Sequence, residues 1–238
     1  MLLELANVRA GYGAVQVLHG ISLQVAEGEA VALIGRNGMG KTTTINTILG
    51  ICPPTAGTIG FAGARIDAMP SHRIARLGVG LIPEGRRIFP NLSVRENLVM
   101  AARTTASRKA WTLDRVLDIF PRLRERLTNP GNLLSGGEQQ MLAIGRALLT
   151  NPSLLIFDEA TEGLAPLIRA EIWANLAMLK ASGMAMIVVD KEIEAVCKVA
   201  DRQYIVEKGA VVWEGRGTAL LDDEALRNRH LSVGDGRA

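Results

Sequence analysis

The chain has 238 residues, 48% of them hydrophobic and 21% charged, with a formal net charge of +3. That length supports one large α/β domain with a sizeable core, and no disorder signature is present. The small charge and an aromatic content of 4% argue against nucleic-acid binding. No apolar run approaches the roughly 20 residues of a membrane helix, so no membrane span is expected. Cys52 and Cys197 lack metal-ligand spacing and read as packing residues in a reducing compartment, and Met1-Leu2-Leu3-Glu4-Leu5 shows no basic region or cleavage site.

In chain order, short β-like runs at residues 2–8, 22–25 and 58–61 resemble an antiparallel β-subdomain. Within them lies Gly35-Arg36-Asn37-Gly38-Met39-Gly40-Lys41-Thr42-Thr43, which fits the P-loop pattern. It sits between a buried-strand run, Ala30–Ile34, and a helix-like segment at 42–50. Glycines there let backbone N–H groups turn inward on phosphate oxygens, and the helix N-terminus adds partial positive charge. Lys41 is expected to reach the β/γ-phosphates and Thr42 to hold Mg²⁺. A Gly-rich turn with a chance lysine is the alternative, but every required position is filled.

After Ile82 the stretch 71–134 is poor in strand signals, and Arg122, Arg124 and Arg126 alternate with Leu123, Glu125 and Leu127 as a solvated amphipathic face does. Leu134-Ser135-Gly136-Gly137-Glu138-Gln139-Gln140 follows. Ser135 and Glu138 make a helix capping box. Capping does not need Gly136 and Gly137, and two bare glycines would let an anion approach the positive helix end, so both readings stand together. The apolar residues 154–157 end in Asp158-Glu159, a Walker B arrangement. Asp158 is expected to coordinate Mg²⁺ through water and Glu159 to accept a proton from the water attacking the γ-phosphate; without the P-loop, a solvated loop would be the better reading of that pair. Residues 161–166 connect to a helix at 167–182. A strand at Ala185–Val189 ends in Asp190-Lys191, and tail strands at 204–206 and 211–213 form a hairpin through Lys208-Gly209. The alternation of strand and helix predicts an α/β fold with a mainly parallel, helix-covered core sheet.

With Leu134-Ser135-Gly136-Gly137-Glu138 in hand, the chain resembles the ATP-binding subunits of ABC transporters over essentially its whole length. The resemblance implies a P-loop ATPase of one domain, 1–238, with a helical subdomain at about 71–134 inserted in the αβ core. It also implies a head-to-tail dimer in which Ser135, Gly136 and Gly137 meet nucleotide held by the partner, and in which residues 161–166 meet their counterparts. Tyr12, between Gly11 and Gly13, takes the place of the aromatic that stacks on adenine. Glu84 stands where the family has a glutamine that serves Mg²⁺ or the attacking water. Lys191 stands where most relatives have a switch histidine; His19, His72 and His230 all lie elsewhere. The γ-phosphate sensor is therefore Lys191 or absent. Ala160 replaces a common proline. Residues 85–97 correspond to the surface that docks on membrane subunits, beside the simpler reading of a loop with a capping box at Ser93 and Glu96.

Residues 82–98 and Asp158-Glu159-Ala160-Thr161-Glu162-Gly163-Leu164-Ala165-Pro166 look like the LivF-type subunit of branched-chain amino acid importers. The ATPase subunits of urea and short-chain amide importers are similar, but usually keep glutamine at the position of Glu84. The resemblance implies ATP and Mg²⁺ as cofactors. Its partners are membrane permease subunits, a second ABC ATPase subunit of the same or a homologous chain and, indirectly, a periplasmic or extracellular solute-binding protein. Its place is the cytoplasmic face of the plasma membrane. The rival readings are a non-transport ABC clamp on DNA or ribosomes, which usually carries a coiled-coil insertion or two fused halves, and a nucleotide-binding regulator without turnover.

Overall fold

A computed structural model describes residues 1–105 and 110–231. Residues 106–109, inside the 71–134 stretch, and residues 232–238 lie outside the described residues.

Two sheets frame the molecule. The first has four strands in the order β2-β1-β4-β5: β1 (Leu3–Tyr12), β2 (Val15–Val25), β4 (Ala56–Phe61) and β5 (Ala64–Arg65), all antiparallel. In β1 the buried residues Leu3, Leu5, Val8 and Ala10 are interleaved with outward-facing ones, as a sheet with one wet face requires. The strands run longer than the sequence reading, because β1 and β2 pair almost to the Tyr12–Val15 turn through several register shifts that blur a simple two-residue alternation.

The second sheet has six strands in the order β10-β9-β3-β8-β7-β6. These are β3 (Ala30–Ile34), β6 (Val79–Ile82), β7 (Leu154–Asp158), β8 (Ala185–Val189), β9 (Arg202–Glu207) and β10 (Ala210–Gly215). All neighbours are parallel except the β9–β10 hairpin. β3, β7 and β8 are buried at every residue, which is why they read as continuous apolar runs. Their side chains split between two cores. Ala30, Ala32, Leu155, Phe157, Met186 and Val188 face the helical side, while Val31, Leu33, Leu154, Ile156 and Ile187 face the antiparallel sheet.

Helix α1 (Lys41–Ile48) follows β3 at once. α2 (Ser71–Leu77) leads into β6, so residues 79–82 belong to the core sheet and the strand-free part of the 71–134 stretch begins after Ile82. α3 (Val94–Val99), α4 (Leu113–Ile119) and α5 (Pro121–Glu125) pack on α6 (Gly136–Leu149). Gly145 allows that approach, because a Cβ there would come 2.8 Å from Val116 Cγ1 and 3.0 Å from Leu98 Cδ2. α7 (Pro166–Ala181) and α8 (Ile193–Val199) flank β8, and α9 (Gly217–Asp222) and α10 (Glu224–His230) close the described chain. Arg122, Arg124 and Arg126 pair with Glu171, Asp118 and Glu138 on the surface.

Candidate nucleotide site

Parallel strands deliver their C-terminal ends to one edge of a sheet, and at a change of strand order that edge opens into a cleft. Here the ends of β3, β6, β7 and β8 converge on a cleft of about 560 Å³. Among its lining residues are Asn37, Gly38, Gly40, Lys41, Thr42 and Thr43 of the glycine-rich loop, Glu84, Glu159, Lys191 and two residues that sequence reasoning missed, Val17 and Glu162.

The loop between β3 and α1 is held by its own lysine. Lys41 Nζ donates to the carbonyls of Gly35 at 2.7 Å and Arg36 at 3.0 Å. The side chain is buried, and burial draws its pKa below the ordinary lysine value, against the pull of Glu159 and Asp158. Gly38 and Gly40 take positive φ, 77° and 106°, where a Cβ is disfavoured. The N-cap of α1 has no side-chain partner, leaving the first-turn N–H groups free for an anion.

Asp158, the last residue of β7, is 7% exposed, and its Oδ1 has no hydrogen-bond partner. Burial, then Glu159 and Glu84, push its pKa up to about 6, with Lys41 and a hydrogen bond from Thr42 opposing. A buried carboxylate oxygen left without a partner is costly. Thr42, Asp158 and Glu84 offer only oxygen, the donor type that suits Mg²⁺. The donor set therefore fits Mg²⁺.

Glu159 sits at φ +50°, and its N–H donates to Val189 O at 2.8 Å. A left-handed non-glycine residue here turns the chain off the strand and holds the carboxylate over the cleft. Lys191, the residue expected at the γ-phosphate, lines the same cleft. Its ammonium is engaged by carboxylates, Glu162 Oε1 at 2.6 Å and Glu159 Oε2 at 3.1 Å, and Glu162 first, then Glu159, raise its pKa. The turn carrying Glu162 is stitched to the same place by Thr161 Oγ1, which donates to buried Asp190 Oδ2 at 2.6 Å. No local pattern could reveal Glu162, because it and Lys191 are 29 residues apart and meet only through the pairing of β7 with β8.

The remaining predicted residues lie outside the cleft. Tyr12 is half exposed at the end of β1, where its hydroxyl accepts from Asn46 Nδ2 at 3.0 Å. Ser135 caps α6 as the sequence suggests: its Oγ accepts from Glu138 N–H at 3.3 Å and its N–H donates to Glu138 Oε2 at 2.8 Å. Packing within the chain also calls for Gly136 and Gly137. A Cβ on Gly136 would come 2.8 Å from the Arg86 guanidinium, and one on Gly137 would come 2.5 Å from Ile168 Cγ2. The space of both missing side chains is filled from within this chain.

Comparison with known proteins agrees with this geometry. The family model described as "ABC transporter" matches residues 18–162. The chain is 40% identical to the high-affinity branched-chain amino acid transport ATP-binding protein BraG of Pseudomonas aeruginosa, over 97% of this chain and 99% of that protein. It is 29% identical to a probable branched-chain amino acid transport ATP-binding protein LivF of Archaeoglobus fulgidus, over 98% of this chain and all of that protein. Among solved structures, an ATP-binding subunit of an ABC transporter superposes with a TM-score of 0.82 at 32% identity, covering 97% of this chain and 96% of the other. By that family match, by its identity to a transport ATP-binding protein over nearly its whole length and by its shared fold, the chain belongs to the ABC transporter family as an ATP-binding subunit.

Proposed function

We propose that this chain hydrolyses ATP to drive import of branched-chain or related amino acids through separate membrane subunits. The observation that carries the chemistry is the convergence of Lys41, Thr42 and Glu159 on one cleft at the sheet's C-terminal edge, with Asp158 buried beside them and hydrogen-bonded to Thr42. Family membership and the names of the two relatives support the coupling to amino-acid transport.

In this reading the triphosphate lies on the N–H groups of the glycine-rich loop, and Lys41 exchanges its two backbone carbonyls for β/γ-phosphate oxygens. Thr42 and Asp158, with Glu84, would hold Mg²⁺, which would neutralise charge on the phosphates. Glu159 takes the proton of the attacking water. Lys191 leaves Glu162 for the γ-phosphate as a point charge; it donates without accepting, so it steadies phosphate charge and shares no proton with Glu159. Tyr12 takes the adenine.

Ser135, Gly136 and Gly137 act in trans, on nucleotide held by a second ATPase subunit of the same or a homologous chain. The helical stretch within about 71–134 meets the permease subunits at residues 85–97. Three features support that surface. Phe89, Val99 and Met100 are exposed apolar side chains around it. Arg86 and Arg87 hold left-handed backbone in it. Buried Asn97 clamps it, donating through Nδ2 to the carbonyls of Phe89, Leu92 and Ser93 and accepting from Phe89 N–H. No helix among the described residues is long and apolar enough to cross a membrane, which suits a peripheral subunit at the cytoplasmic face, with a solute-binding protein engaged only through the permeases.

The test is uptake. A strain lacking this chain should lose accumulation of labelled leucine, isoleucine or valine and regain it with the wild type but not with Glu159→Gln. Unchanged amino-acid uptake with lost urea uptake would replace the substrate.

A further inference from the structure

The turn between β9 and β10 lies against the phosphate loop and has no part in the roles assigned above. Lys208 and Gly209 form it, at φ 47° and 73°, the left-handed pair that a two-residue hairpin favours. Gly209 turns its backbone outward in two directions. Its N–H donates to Met39 O in the phosphate loop at 3.0 Å, and its carbonyl accepts from His19 N–H on β2 at 2.9 Å. Lys208 N–H points at Met39 Sδ, 3.4 Å away.

No side chain fits at this junction. A Cβ on Gly209 would overlap Val17 O, and a Cβ on Gly40 would come 3.3 Å from Gly209 Cα. Val17, whose carbonyl a Cβ on Gly209 would overlap, itself lines the cleft. On the same hairpin, Tyr12 pairs with Val15, two residues before Val17. One glycine thus ties the loop for the phosphates to a strand that also lines the cleft, through Val17.

We propose that Gly209 is a positioning residue for nucleotide binding: it sets the spacing between the phosphate loop and β2, so that phosphates seated on the loop fix the wall that receives the rest of the nucleotide. The inference rests on the reading of the cleft as the ATP site. Met39 O moves when the loop closes on an anion, the Gly209 N–H follows it, and the Gly209 carbonyl carries the shift to His19 through the peptide framework.

Amide hydrogen exchange of the full chain tests this with Mg²⁺-tripolyphosphate, which has no base and touches only the loop side. The expected result is that tripolyphosphate slows exchange at Gly209 and His19 as well as in the loop, by about tenfold or more, equivalent to about 1.4 kcal/mol of local stabilisation. Protection confined to residues 35–44 would overturn the relay and leave the cleft assignment standing. No protection of the loop by tripolyphosphate or ATP would overturn both.

A variant adds an independent reading. Gly209→Ala wedges β2 from the loop and should raise the Kd for ATP by about tenfold or more while leaving that for tripolyphosphate within about threefold, a differential of about threefold or more between the two ligands. Gly63→Ala is the control, with the same kind of backbone (φ +80°) and nothing within 4 Å of the added Cβ, and should alter neither constant. Equal losses for both ligands in Gly209→Ala would mark the glycine as structural only and sink the proposal. If the variant does not fold, the wild-type exchange experiment decides.

Discussion

The phosphate cradle and the signature segment are both built on helix N-termini, yet the chain treats them in opposite ways. At α1 the cap is empty, the first-turn N–H groups have no side-chain partner, and Lys41 bends back onto Gly35 and Arg36. At α6 the cap is complete, with Ser135 and Glu138 satisfying each other, and Arg86 and Ile168 fill the glycine positions. An unsatisfied helix end is a site awaiting an anion, whereas a capped one is already stable alone. The cradle is therefore left open to a ligand, whereas the signature segment is already satisfied within the chain.

The strongest way to sharpen that contrast is to break chemistry without breaking the cradle. Glu159→Gln keeps size and hydrogen bonding but removes the base, and should lower phosphate release by about 10²–10⁴-fold with ATP affinity retained. The variant should also persist as a nucleotide-trapped dimer in size-exclusion chromatography. Turnover at the wild-type rate would reassign the base. Lys41→Ala, by contrast, should lose nucleotide binding itself.

On the helical side the largest expected effect is on folding. Asn97→Ala removes a buried side chain that serves three carbonyls and one N–H. Each group left buried without a partner costs ~1–3 kcal/mol, so a clear drop in Tm should accompany unchanged ATP affinity of the isolated chain. Loss of affinity equal to the loss of stability would show that the two regions are not independent. Gly137→Ala should likewise destabilise, by ~1–3 kcal/mol for overpacking against Ile168, which makes it a poor probe of contact with nucleotide across a dimer.

Ser135→Ala is the cleaner probe, since it removes a cap worth ~1 kcal/mol and adds no bulk. Monomer binding of ATP should be intact while hydrolysis falls; a variant with normal turnover would confine Ser135 to capping. The smallest expected effect belongs to Lys191. Lys191→Ala frees Glu159 and Glu162 from the shared ammonium and should lower turnover by several-fold with little change in ATP affinity, whereas Lys191→His should keep much of the activity. Turnover and transport unchanged in Lys191→Ala would leave the lysine as a partner of the 159–162 turn and nothing more.

What the sequence determined by itself was whatever depends on short-range spacing. The phosphate loop, the strand ending in Asp158-Glu159 and both capping boxes are contiguous, so residue type and offset were enough to place them. The buried strands β3, β7 and β8 announced themselves because strands covered on both faces must be apolar throughout. Only the tertiary structure decided what the side chains of distant segments do to one another. It decided that Lys191 is shared between Glu162 and Glu159, that Ile168 and Arg86 occupy the space over the signature glycines, and that Gly209 stands between Met39 and His19. Those contacts arise where the sheet order brings together residues with no local relation in the chain, and a linear pattern carries no record of which of them will meet.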